Sequence, residues 1–156
     1  MRFQHFDSRY IVRLEPGELV IETLASLLKA EKVDFANVSA AGAVQWVSLE
    51  YWNPNTRAYE QRDFNEQLEV VSFQGNASLY DGEPFLHIHG VFGRPDYSVI
   101  GGHLREARVR PTLEVWLRVE HIPVRRVRDR VTSLVLLDLP EQLEQRQPRL
   151  REDRER

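Results

Sequence analysis

The 156-residue sequence contains no cysteine. Disulfide scaffolds and thiolate metal sites are therefore excluded, and a transition-metal site here must draw on His, Asp or Glu. Lysine is nearly absent too: Lys29 and Lys32 stand against 19 arginines, a ratio that carries no function by itself. No apolar run approaches the 18 residues of a membrane span. The opening MRFQHFDSRY has no apolar h-region, so no secretory signal is expected and a cytoplasmic location is. The net charge of −3 argues against a protein whose whole surface binds nucleic acid.

What is present describes one soluble domain. The length suits a single core without staples, and 42% hydrophobic with 29% charged residues is an ordinary globular balance. The charge is uneven. Residues 1–104 carry eight basic and fourteen acidic side chains, whereas residues 105–130 carry eight Arg and four acids.

Residues 8–14 (SRYIVRL) read as a strand. Val20, Ile21, Leu24, Leu27 and Leu28 form one apolar stripe on a helix expected over about 16–31, opened by Pro16 and favoured by Glu18 and Glu22 near its positive end. From Phe35 the pattern has period two. Strands are expected at 35–40, 43–52, 57–64, 67–80 (with a bulge at Gly75), 85–92, 97–100, 112–122 and 133–139. One helix among many strands predicts an α+β fold with a mostly antiparallel, strongly curved sheet or partly closed barrel. This domain is expected to occupy 1–140. The remainder, 141–156, has only Leu143 and Leu150 as large apolar residues and is expected to be a flexible charged tail.

The chemistry-bearing pattern is H-x-H-x13-H. His87 and His89 are two apart in FLHIHGVF, so on a strand they share a face about 6–7 Å apart at Cβ. His103 follows Gly101-Gly102, where missing side chains let backbones approach closely. Three His with a fourth position open is the arrangement of catalytic zinc. A chance pair of surface histidines gives the same spacing. His5 and His121 have no motif around them and are read as solvent or interface residues.

Several spaced segments resemble the PPC domain, the plants and prokaryotes conserved domain. They are RLEPGELVIETLASLLKAEKVDFANVSAAGAV (13–44), LEVVSFQGNASL (68–79), PFLHIHGVF (84–92), VIGGHL (99–104) and TLEVWL (112–117), with the resemblance running from about 10 to 139. It implies a compact α+β fold, a homotrimer, and a metal, zinc or another divalent first-row ion, on His87, His89 and His103. The fold it implies is also similar to that of acetolactate decarboxylase, an analogy of fold alone. Plant members bind AT-rich DNA through a separate AT-hook. The nearest string here, Phe92-Gly93-Arg94-Pro95, lacks the first Arg and reads as a turn.

A metal on three His needs an acid or base beside it. Glu69 and Glu114, embedded in apolar strands, are candidates, unless each simply pairs with an Arg. Glu83, in a turn, is a weaker candidate. Arg105, two residues after His103, is a candidate to bind a carboxylate ligand or else a surface residue. The Arg group at 125–130 (RRVRDR) reads as a nucleic-acid patch or as a solvated or inter-subunit salt-bridged surface. Trp46, Trp52 and Trp116 suggest buried oligomer contacts. Two functions therefore compete: a DNA-associated or regulatory protein, and a metal-dependent enzyme acting on a small oxygenated or carboxylated metabolite.

Overall fold

The structure, a computed structural model, describes residues 1–122 and 124–140. The expected tail at 141–156 lies outside the described residues. The elements in order are β1 (Arg2–Phe6), β2 (Arg9–Leu14), α1 (Val20–Ala30), β3 (Ala36–Asn53), β4 (Ala58–Phe64), β5 (Leu68–Tyr80), β6 (Glu83–Gly93), β7 (Val99–Val119), β8 (Arg125–Arg128) and β9 (Val135–Asp138). The fold is α+β, with one helix and a sheet that is antiparallel except where β5 meets β8. No helix among the described residues is long and apolar enough to cross a membrane.

Four strands close a ring. β3 pairs with both β5 and β7, and β6 pairs with both β5 and β7. The β1–β2 hairpin extends the sheet beyond β7, and β8–β9 extends it beyond β5. Period-two patterning explains the core: Leu86, Ile88 and Phe92 of β6 and Leu104, Val109, Leu113, Val115 and Leu117 of β7 are buried, with more polar residues between them.

The expected breaks at 41–42 and 101–111 do not divide the chain. Residues 36–53 form one strand with shifted register between Ser39 and Gly42, and residues 99–119 form another. Long strands that bend at such irregularities serve two neighbours at once, which closes the ring. The irregularity expected at Gly75 falls instead between Val70 and Ser72. Gly75 is in continuous register and is required because a Cβ there would collide with the His87 carbonyl.

The helix starts at Val20, later than Pro16. Gly17 N–H donates to the Val109 carbonyl at 2.9 Å, and Leu19 bridges to Arg108. The segment before Val20 therefore gives its backbone to β7. Leu19, at the N-cap, offers no side-chain acceptor. Glu106 of β7 supplies one, accepting from the Ile21 and Glu22 N–H groups at 2.8 and 3.2 Å. Val20, Leu24, Leu27 and Leu28 face the core.

Candidate metal centre

His87 and His89 alternate with Leu86 and Ile88, so they project from the outer face of the ring. His103 lies directly across from His89 in the β6–β7 register. That close approach depends on Gly101, where a Cβ would come to 2.9 Å from the Gly90 carbonyl oxygen. The expected role of the glycines before His103 is thus observed. The three ring centroids form a near-equilateral triangle with sides of 5.2, 5.3 and 5.3 Å. One ligand nitrogen from each ring lies within 4.8 Å of the others.

His87 and His103 are partly buried, and His89 is exposed. Burial lowers the His87 pKa to about 4, helped by positive charge at His103, Arg126 and His89. Burial likewise lowers His103 to about 4, with His89 and Arg126 contributing. Both imidazoles are therefore neutral at pH 7, the form that binds metal. His103 Nδ1 is buried without a hydrogen-bond partner among the described residues. A buried ring nitrogen in that state lacks a ligand or a proton partner. Three convergent imidazoles, two of them held neutral by burial, with one orphaned nitrogen fit a divalent first-row ion such as zinc.

The triad opens into a cleft of about 1080 Å³. The distal β3–β4 hairpin supplies Trp52 and Tyr59, and the β8–β9 hairpin supplies Arg128 and Leu136. Tyr59 packs 5.4 Å from the His103 ring. Burial, then the nearby Glu50 carboxylate, raises its phenol pKa. Glu50 is across from His103 in the β3–β7 register, so the two side chains share a face.

The sequence candidates divide. Arg105 lines the cleft, but its guanidinium is held by Glu50 at 3.0 Å. Glu69 and Glu114 occupy exposed positions on β5 and β7, and neither lines the cleft. The Arg pairing considered for them is not found among the described residues. Glu83 pairs with Lys29 at 2.7 Å. Arg94 is committed to Glu66 through contacts of 2.9 to 3.2 Å, in keeping with a turn rather than a DNA hook. His5 stacks on Tyr10 at 4.1 Å.

Sequence reasoning missed Glu50 and Tyr59, and it placed Arg126 in a surface Arg group although the side chain is buried. Glu50 and Tyr59 come close to the triad only because the β3–β4 hairpin runs past the ring. Arg126 is buried while its neighbour Val127 is exposed. That inverts the hydrophobic pattern, so composition gave no signal.

No curated protein matches the chain. Among solved structures it is similar to a "putative DNA binding protein" from Bacteroides thetaiotaomicron, with TM-score 0.85 and 26% identity over 88% of this chain and 96% of that one. It is also similar to a metal-containing protein from Archaeoglobus fulgidus, with TM-score 0.79 and 30% identity over 89% of this chain and 99% of that one. A weaker likeness of fold alone reaches a Staphylococcus aureus protein of unknown function similar to alpha-acetolactate decarboxylase: TM-score 0.53, 16% identity, 74% of this chain and 54% of that one. The family model of the Plants and Prokaryotes Conserved (PCC) domain matches residues 1–120, over the ring and all three histidines, and the chain belongs to that family.

Proposed function

We propose that His87, His89 and His103 hold one divalent first-row ion, zinc in the first instance, and that the protein uses it on a small oxygenated ligand in the adjoining cleft. The observation that carries this reading is the triangle of three convergent imidazoles with the buried Nδ1 of His103, unpartnered among the described residues. Three protein ligands leave a coordination position for a ligand, as in catalytic sites. An ion there supplies a Lewis acid, or a bound water of lowered pKa. The chain's own part is to hold His87 and His103 neutral by burial, to fix His103 against His89 through the Gly101 approach, and to line the approach with Tyr59 and Leu136. Tyr59, beside His103, is the phenol best placed to hold or deliver a proton. A titration of metal-free protein with cobalt(II) tests the reading. Visible bands saturating at one ion per chain, and absent in His89→Ala, support it; no saturable bands refute it.

A DNA-associated or regulatory role is the second reading, favoured by the likeness to the Bacteroides protein. The arginines of 105–130 do not form one stripe: Arg105 and Arg118 pair with acids and Arg126 is buried. Mobility-shift assays at two salt concentrations decide between the readings. Tight, salt-steep binding supports DNA, and its absence leaves the metal reading alone.

We propose further that the protein is a cytoplasmic homotrimer. Phe6 and Ile11, from the β1–β2 hairpin, and Trp116 of β7 are exposed and line a depression of about 840 Å³. Exposed aromatics grouped in this way suit a subunit contact.

A further inference from the structure

The cleft in front of the histidines holds more positive charge than its own partners neutralise. Arg57, Arg105 and Arg128 line it, against one carboxylate, Glu50. Arg105 and Glu50 satisfy each other at 3.0 Å. Arg57 and Arg128 have no carboxylate within 4.0 Å among the described residues. Arg128 donates to the Ser133 carbonyl at 2.7 Å, which uses part of its donor fork.

A further guanidinium stands behind the wall. Arg126 is 5% exposed, and among the described residues it donates only to neutral acceptors: Ser78 Oγ at 2.7 Å, Asn76 Oδ1 at 2.7 Å and the Val135 carbonyl at 2.9 Å. Its charge lies 4.9 Å from the centre of the Phe85 ring, and Phe85 lines the cleft two residues before His87. Asn76 is the register partner of His87. A buried cation with no counter-charge among the described residues is expensive, and in a medium of low dielectric its field reaches the histidine row. An anion arriving in the cleft would complete this arrangement.

We infer that the cleft takes a small organic acid, a carboxylate on an apolar body. The inference rests on the metal reading above and names its ligand class. The carboxylate is drawn to the three-histidine centre by the field of Arg126 and by the free donors of Arg57 and Arg128. The apolar body lies against Trp52, Phe85 and Leu136. A neutral molecule of the same shape leaves the guanidinium charges uncompensated, so the site discriminates by charge more than by shape.

The experiment uses the cobalt(II)-loaded full chain with benzoate and benzyl alcohol as probes, read by the visible spectrum and by calorimetry. Benzoate should bind at least about tenfold more tightly than benzyl alcohol, with Arg57→Gln and Arg128→Gln each weakening benzoate by about fivefold or more. Both arginines are exposed, so the variants should fold and take up cobalt as the parent does. Equal affinity for the two probes, or arginine variants that bind benzoate as the parent does, overturns the inference and leaves the metal centre standing. A chain that takes up no cobalt overturns the metal reading and this inference together.

Discussion

His87 and His103 are shifted far from the ordinary histidine range by burial. Each has a folded-state pKa of about 4 against an ordinary value of 6.5. The unfolded chain therefore binds protons between pH 6.5 and about 4 that the folded, metal-free chain refuses. Stability of the metal-free protein is full above pH 6.5 and falls as the pH drops toward 4. Thermal melts of chelator-treated protein between pH 7.5 and 4.5 should show this fall, and His87→Gln should flatten it. A melting temperature indifferent to pH in the parent contradicts the burial argument. Glu106 offers a second residue-scale test. Its carboxylate accepts the first N–H groups of α1 from a different element. Glu106→Ala should lower the urea midpoint by the equivalent of about 1 kcal/mol with an unchanged slope.

At the scale of elements, the sequence was readable where a strand has one buried and one exposed face. β2, β5 and β6 lie within two residues of expectation at each end, because alternation locates them. β1 is exposed at every position, so RFQHF has no pattern to show. β8 buries an arginine and exposes a valine, so its period reads backwards. β3 and β7 were each divided in expectation because Gly42 and the Gly101-Gly102 pair read as stops, whereas the strands run on through them. The H-x-H pair needed only strand alternation to be seen. Placing His103 opposite His89 needed the β6–β7 register, and Glu50, Tyr59 and Arg126 needed the closed ring. The β8–β9 hairpin joins the body through one backbone pairing, Leu79 with Arg125, and through the bonds of Arg126 to Ser78 and Asn76. Arg126→Met should therefore loosen that hairpin locally. Amide exchange over 125–138 should accelerate at least about tenfold while 99–119 stays protected. Unchanged exchange in the hairpin would mean that Arg126 does not anchor it.

At the scale of the molecule, the closed ring with its helix exposes, among the described residues, an aromatic patch near Trp116 and the cleft before the histidines. The first bears on assembly. Light scattering at micromolar concentration should return a trimer, and Trp116→Glu should shift it toward monomer, since a charge at a dry contact is costly. A monomer in the parent refutes the trimer. The second feature bears on function. Elemental analysis of the parent chain and of the His87→Ala, His89→Ala double variant, purified without chelator, tests it most directly. One equivalent of a first-row metal in the parent and none in the double variant is the predicted result. A metal-free parent, or the same metal content in both proteins, would contradict it.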